Sequence, residues 1–310
     1  MIRVTPSAAY ASFTRNIARL SAEMANLNNQ IGTGKRIQVP SDDPASAAQA
    51  VRLSSDMARL DQLDRTRGQA ENRLQSTESA LASVSDILTQ VRTLALQGAS
   101  TQGTQSREAI AQGLEGLFHD MVTAANTDDP TAGYLFSGYA TQTAPFTVSG
   151  SFSATVPPAS TIAATYGGTS DTTQAEIGPN DQVTVGWPGN QIFQGNGDPN
   201  QDVFQTIVKI RDAVLAGDTD TVNAQLGNLN DALDQISGSR GVLGTELKRA
   251  QDADQALSQQ KSNLQIQLDN AQGVDLVSAI ADLQQTQTAY QAALSAGSQT
   301  LGKSLLDYIS

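Results

Sequence analysis

The sequence predicts a mainly α fold with a small all-β insertion: an elongated helical bundle and a coiled coil of terminal helices, with an outer β domain. Apolar residues recur at alternating steps of three and four residues in both halves of the chain, which is the period of an amphipathic helix. Between residues 146 and 200 this period gives way to short alternating runs separated by Gly, Pro, Ser and Thr. Only 39% of the residues are apolar and 5% are aromatic, which suits thin bundles packed by Ala and Leu.

The N-terminal segment predicts an amphipathic helix that carries one apolar stripe. Gly32 and Gly34 follow the stripe, and we expect them to end the helix because glycine favours helix termini. The spacing is that of a coiled-coil seam, so this helix needs a partner. The stripe consists of Tyr10, Phe13, Ile17, Leu20, Met24, Leu27 and Ile31.

A second helix is predicted to begin at Pro44 and to continue to about Gly98. Proline fixes a helical backbone angle at the first helical position and keeps the preceding Asp43 extended, as an N-cap requires. The Asp43 carboxylate is then expected to accept hydrogen bonds from the first free amides of the helix. Between Ala70 and Ala95 the apolar residues keep a 3.5-residue repeat, which again calls for a partner.

Further helices are predicted on both sides of the insertion. One of them ends near Asn126 and contains His119, the only histidine of the chain. Because the chain has no cysteine either, we do not expect His119 to bind a metal. Helices return at Asp202, and the segment 240–246 is expected to open the longest C-terminal helix, which Gly273 should end.

The segment from Phe146 to Asn200 predicts five to seven short strands in a small sandwich or open barrel. Its aromatic residues Tyr166, Trp187 and Phe193 have two interpretations. They could line a glycan or protein binding site, or they could form the core that a small β domain needs.

The last segment predicts a terminal helix that matches the first one. Both are apolar enough on one face to need a partner and too polar on the other to enter a membrane. The sequence therefore divides into terminal helices (1–43 with 273–310), a helical bundle (44–145 with 201–272) and the β insertion (146–200). The C-terminal stripe consists of Leu276, Ile280, Leu283, Tyr290, Leu294, Leu301, Leu305 and Tyr308.

Charge and composition exclude several classes of function. A net charge of −12 opposes binding to nucleic acid or to anionic lipid. The chain has no cysteine, and it contains no apolar run of about 18 to 20 residues that would span a membrane. The N-terminus has no apolar core of a signal peptide, so we expect no cleaved secretory signal.

One stretch between the first two helices carries a family signature. The motif residues Gly34, Lys35, Arg36, Asp42, Asp43 and Pro44 stand in the runs Gly-Lys-Arg-Ile and Asp-Asp-Pro-Ala. These runs resemble the N-terminal signature of the flagellins and flagellar hook-associated proteins. A phosphate-binding loop does not fit, because Asn29 stands where the first glycine belongs and Arg36 where Ser or Thr should follow the lysine.

Three other stretches extend the resemblance to both helical ends of the chain. The run 133–146, GYLFSGYATQTAPF, is similar to that of the family members at the junction between hook and filament. Segment 240–246 resembles the element that opens the C-terminal helix in this family, with Thr245 where Ala or Ser is usual. The ending 304–309, SLLDYI, is similar to that of the junction subunits, whereas flagellins more often end in Leu-Leu-Arg.

The resemblance implies a structural subunit of the bacterial flagellum at the hook–filament junction, without catalytic residues, cofactor or metal. It implies assembly through the two terminal helices, with copies of itself in a ring, a neighbouring hook-associated protein and flagellin as partners, and an export chaperone as a further one. It also implies an extracellular location, reached by type III export. Two alternatives stay open: a filament-forming flagellin, and an extracellular adhesin that binds through the β insertion. An enzyme is not indicated, because no nucleophile elbow or metal-ligand spacing is present.

Overall fold

The computed structural model describes the backbone of residues 6–130, 132–198 and 201–309, and the side chains of 10–130, 132–195, 197–198 and 201–298. The predicted mainly helical fold with a small β region is confirmed. The helices are α1 (Pro6–Thr33), α2 (Pro44–Ser100), α3 (Thr104–Ala125), α4 (Gly189–Phe193), α5 (Val203–Ala216), α6 (Thr219–Gln272) and α7 (Leu276–Ile309). None of the described helices is long and apolar enough to cross a membrane.

The described residues form two compact units. Unit 1 comprises Met1–Arg59 and Gln259–Ser310, and unit 2 comprises Leu60–Ser258. These boundaries fall inside α2 and α6, whereas the sequence pattern suggested boundaries at the helix breaks after Asp43 and near Gly273. The ends of the helices in this chain therefore do not coincide with the boundaries of its packed units.

Unit 2 has one continuous apolar core, to which α2, α3, α5, α6 and the β region all contribute. At its centre the ring centroids of Phe146 and Phe204 are 5.0 Å apart, and those of Phe136 and Phe193 are 5.1 Å apart and nearly perpendicular. The β residues therefore pack into the helical core of unit 2 and do not form a core of their own. Its fully buried residues include Leu74, Leu81, Val84, Leu88, Leu114, Phe118, Met121, Phe136, Phe193, Phe204, Ile207 and Leu229.

The strands form separate antiparallel pairs, and the predicted sandwich or barrel is wrong. The pairs are β1 (Asp128–Asp129) with β2 (Gly133–Tyr134), β3 (Phe146–Ser149) with β4 (Ala163–Tyr166), and β5 (Thr173–Gly178) with β6 (Asp181–Gly186). Only the last four of these six described strands lie in the predicted insertion, which also contains α4. Apolar residues such as Ile177 and Val183 join the helical core, so these strands need no second sheet to cover them.

The segment 240–246 does not open a helix, because α6 runs through it without a break from Thr219 to Gln272. Each glycine in a helix costs about 1 kcal/mol relative to alanine, so Gly241 and Gly244 favoured a helix end there. Burial of Ile236 before this segment and of Leu243 within it keeps the helix continuous. Arg240 adds an ion pair from this segment to Glu78 of α2, with nitrogen and oxygen 2.6 Å apart.

Unit 1 has a thinner apolar interior. Ala50 and Leu53 of α2 pack with Leu268 and Ala271 of α6 in a small cluster of buried residues. The helices α1 and α7 pack against each other.

Candidate assembly site

The motif between α1 and α2 folds into a turn that is joined to the end of α6. Gly34 has a φ of +71°, a left-handed conformation that favours glycine. Lys35 and Gly273 form an antiparallel bridge, in which the Arg36 amide donates to the Gln272 carbonyl (2.8 Å) and the Val274 amide to the Gly34 carbonyl (3.1 Å). The signature motif thus holds together two parts of unit 1 that are far apart in sequence.

Side chains of the motif stabilise this turn. The Arg36 guanidinium donates to the Ala271 carbonyl at 3.3 Å and forms an ion pair with Asp43 at 3.4 Å. Asp42 accepts hydrogen bonds from the amides of Gln38 and Val39, at 3.0 and 3.1 Å. The side chains of Arg36, Asp42 and Asp43 therefore have structural partners within unit 1.

Asp43 stands at the start of α2, immediately before Pro44. Its Oδ1 accepts a hydrogen bond from the Ser46 amide at 3.1 Å, which is the geometry of an N-cap. The hydrogen bonds with Ser46, followed by the neighbouring Arg36 charge, hold the pKa of Asp43 below its ordinary value. The carboxylate is thus the favoured form at neutral pH.

The apolar stripe of α1 faces α7 but is not fully covered. Tyr10 is 56% exposed. The other six residues of the stripe are half-buried: Phe13, Ile17, Leu20, Met24, Leu27 and Ile31. The first helix is therefore only partly covered in the single chain.

The side chains of α7 that are least exposed differ from the predicted stripe. They recur at steps of three and four residues and are mostly small: Ala279, Leu283, Thr286, Tyr290, Ala293 and Gly297. A Cβ atom at position 297 would overlap the Phe13 ring, so this glycine permits a close approach of the two helices. Of these six residues only Leu283 and Tyr290 belong to the predicted stripe, because the small ones carry little hydrophobic signal.

The remaining described residues of the predicted C-terminal stripe form an open edge on α7. Leu276, Ile280 and Leu294 are 47%, 45% and 44% exposed, whereas Leu283 and Tyr290 are half-buried. At 100° per residue, the open edge is turned by roughly 70° from the face toward α1. The side chains of Leu301, Leu305 and Tyr308 lie outside the described residues.

The aromatic residues considered for an adhesin site do not form an exposed group. Phe193 is fully buried, and Trp187 packs against the core of unit 2. The Tyr166 hydroxyl donates to backbone carbonyl oxygens, with Thr169 at 2.8 Å and Phe136 at 3.0 Å. Their positions match the second interpretation, a core role.

No metal centre is formed within the part of the chain that the structure describes, where no three His, Asp or Glu side chains are grouped closely enough. His119 is exposed on α3, with its ring edge-on to Phe118 at 5.6 Å.

Comparison with known protein families now identifies the fold. The bacterial flagellin N-terminal helical region matches residues 4–141, and the bacterial flagellin C-terminal helical region matches residues 226–309. The chain belongs to the bacterial flagellin family. The two matches include α1 and α7 and leave out most of the β region.

Individual relatives within the family are similar over nearly the whole chain. The flagellar hook-associated protein 3 of Escherichia coli K12 is 26% identical, with 98% of each chain covered, and that of Salmonella typhimurium LT2 has the same values. Solved structures share the fold. A hook-associated protein from Vibrio parahaemolyticus has a TM-score of 0.65 at 20% identity over 75% of this chain and 100% of that one. FlgL from Xanthomonas campestris has a TM-score of 0.59 at 19% identity, over 70% and 99%.

Proposed function

We propose that this chain is a structural subunit of the bacterial flagellum at the hook–filament junction, and that it assembles by packing α1 and α7 against neighbouring subunits. The relatives that match over 98% of both chains are hook-associated proteins 3, which favours this function over that of a filament-forming flagellin. Copies of itself in a ring, a neighbouring hook-associated protein and flagellin are the proposed partners. The proposed location is outside the cell, reached without a cleaved signal peptide and with the help of an export chaperone.

The open edge of α7 is the observation that carries the proposal. Leu276, Ile280 and Leu294 cannot all be covered by α1, because α1 already packs on the adjoining face of the same helix. Each leaves almost half of its surface in water, although burying such a side chain stabilises a structure by about 1.5–3 kcal/mol. A subunit that packs on this edge would gain roughly half of that energy for each side chain, because the other half of the surface is already covered.

Labelling of intact flagella tests the location. A label on this protein should appear between hook and filament, and the protein should be scarce in isolated flagella. A label along the whole filament, together with a high copy number, would instead identify a filament-forming flagellin.

Truncation tests the proposed role of the terminal helices. Removing the residues from Leu301 onward should leave the melting temperature of the single chain almost unchanged, because the core of unit 2 stays intact. The same truncation should abolish incorporation into flagella. A truncated chain that unfolds, or one that still assembles, would contradict the proposal.

Two substitutions on the open edge make the test sharper. Ile280→Gln and Leu294→Gln together should prevent incorporation while the free chain keeps its helical circular dichroism. The matched control is Val242→Gln, because Val242 is 51% exposed on α6 but belongs to unit 2. We expect the control to assemble normally.

A further inference from the structure

Residues 152–160 of unit 2 form a loop, which we call the strap, whose two ends lie side by side. The Thr161 amide donates to the Ser151 carbonyl at 3.0 Å, and the Ser151 amide donates to the Thr161 hydroxyl at 3.3 Å. The strap connects β3 to β4 and has no regular secondary structure. A loop of this length with joined ends is an Ω-loop, a class of loop that often carries function.

The strap contributes no fully buried residue to unit 2. Four of its residues are half-buried and five are exposed. By contrast, Phe146 of β3 and Ile162, just before β4, belong to the core of unit 2. The strap can therefore leave its place while this core stays closed, as expected of a segment with few buried apolar contacts.

Two adjacent residues of α5 bind the strap. The Arg211 guanidinium donates to the Ser153 carbonyl at 2.6 Å. The Asp212 carboxylate accepts hydrogen bonds from the Ser160 amide at 3.2 Å and from the Ser160 hydroxyl at 2.7 Å. Hydrogen bonds to charged groups are stronger than those between neutral groups. Because two of these three bonds involve backbone atoms of the strap, another extended segment could make them as well.

Other contacts fix the Arg211 side chain in the position that binds the strap. This side chain is only 5% exposed, and it forms ion pairs with Glu115 of α3 at 2.6 Å and with Asp212 at 2.8 Å. The Phe152 ring of the strap lies 5.2 Å from the guanidinium and edge-on to Phe118 of α3, at 5.5 Å. The two carboxylates hold the guanidinium whether or not the strap is in place, so the binding site is preorganised.

Two open clefts border the strap. One has a volume of about 390 Å³ and lies between the strap, α3 and α5, with Arg211 and Leu215 in its wall. The other has a volume of about 350 Å³ and lies between the strap and α5, with Val208 and Asp212 in its wall. Because the strap borders both clefts, its release would open them together. The groove would then offer apolar side chains and two fixed charged groups, which suits an extended peptide.

We propose that this face of α3 and α5 is a docking site for an extended segment of a partner protein, and that the strap occupies the site until the partner displaces it. The seated strap defines the chemistry of that segment. Its backbone accepts a hydrogen bond from Arg211 and donates one to Asp212, and an aromatic side chain takes the place of Phe152. The site lies within unit 2, so the proposal does not depend on packing of α1 and α7 between subunits.

Binding of a free copy of the strap tests the proposal. The probe is a fluorescent peptide with the sequence of residues 150–161, added to the full chain and followed by anisotropy. In the wild type the tethered strap competes at an effective concentration in roughly the millimolar range, so the peptide should bind weakly. The double variant Phe152→Ala with Ser160→Ala loosens the tethered strap. Its Kd for the peptide should be lower than that of the wild type by about tenfold or more, because the competitor is removed.

Matched controls separate displacement of the strap from other effects. Val156 of the strap is 62% exposed, so Val156→Ala should bind the peptide as weakly as the wild type does. A peptide with Ala in place of Phe152 and Ser160 should not bind the double variant. The milder variant Ser160→Ala removes the hydroxyl contact and keeps the ring, and it should give a smaller change in the same direction.

Three results would overturn the proposal: no peptide binding by the loosened variants when they keep their helical circular dichroism, equal binding by the wild type and the double variant, or equal binding of the two peptides. The proposed function is tested separately, because labelling of intact flagella does not depend on the strap.

Discussion

The core of unit 2 and the α1–α7 pair of unit 1 have the same spacing of apolar residues, but these residues are buried in unit 2 and partly exposed in unit 1. In unit 2, Leu74, Leu81 and Leu88 of α2 are at most 1% exposed, because helices and strands cover them from several sides. In unit 1, Ile280 and Leu294 of α7 stay about 45% exposed. The heptad period therefore predicts an apolar face, but it does not predict whether that face is buried within the same chain or against another subunit.

The largest expected effect is the loss of the β region. Deleting Phe146–Asn200 and joining the ends with a short Gly/Ser linker should abolish cooperative unfolding of unit 2, because Phe146, Ile177 and Phe193 are part of its core. Thermal unfolding followed by circular dichroism measures this, with the chain truncated at Leu301 as a control that keeps unit 2 whole. An unchanged helical signal and melting curve would mean that the β region folds apart from the helices.

A single core substitution should have the next largest effect. Phe204 is fully buried, and its ring lies 5.0 Å from that of Phe146 and 6.0 Å from that of Phe193. Phe204→Ala should lower the free energy of unfolding of unit 2 by about 3–5 kcal/mol. Urea unfolding followed by the fluorescence of Trp187, the only tryptophan, reports on this unit alone. The exposed control Val242→Ala should change the free energy by less than about 0.5 kcal/mol.

A buried arginine connects α2 to the β region and should contribute somewhat less. The Arg73 guanidinium donates to the carbonyls of Val185, Ala132 and Tyr134, at 3.1, 3.1 and 3.3 Å. Arg73→Leu removes these donors and should lower the free energy of unfolding by about 1–3 kcal/mol. The same urea experiment measures it. Arg65→Leu on the exposed side of α2 is the control, and equal effects of the two variants would contradict the role of Arg73.

The smallest effect is expected at the start of α2, in unit 1. Because the pKa of Asp43 is below its ordinary 3.8, its charge stabilises the folded state above that pH and ceases to do so as pH falls through the lowered pKa. Asp43→Asn keeps a capping side chain but removes the charge. Its melting temperature should be below that of the wild type at neutral pH, and the two should converge in acid. A difference that persists in acid would indicate a role other than the charge.

Local features of the fold could be predicted from the sequence, and long-range contacts could not. Pro44 and Gly273 correctly indicated where helices begin and end, because their backbone preferences act locally. The bridge between Lys35 and Gly273 has no local signal, since it depends on how two distant segments meet. The continuity of α6 was missed because burial of Leu243 and its neighbours outweighs the cost of the glycines.

The covered and exposed faces of α1 and α7 could be predicted in part, for a similar reason. The spacing of large apolar residues identified the stripe on α1 and the open edge of α7. Of the face that α7 presents to α1 it indicated only Leu283 and Tyr290, because Ala279, Ala293 and Gly297 carry little hydrophobic signal. Small residues at steps of three and four are the pattern that would have indicated this close contact.

The central claim is that unit 2 is stable in the free chain, whereas the terminal helices become stable only when they pack against neighbouring subunits. Hydrogen exchange of the free chain, measured by mass spectrometry, tests this claim most directly. Amides in residues 10–31 and 276–298 should exchange rapidly, because a thin, half-covered helix pair opens at little cost in free energy. Amides in Leu74–Val91 and Leu226–Ala250 should be protected, and incorporation into flagella should protect the terminal helices as well. Protection of the terminal helices in the free chain equal to that of unit 2 would contradict the account.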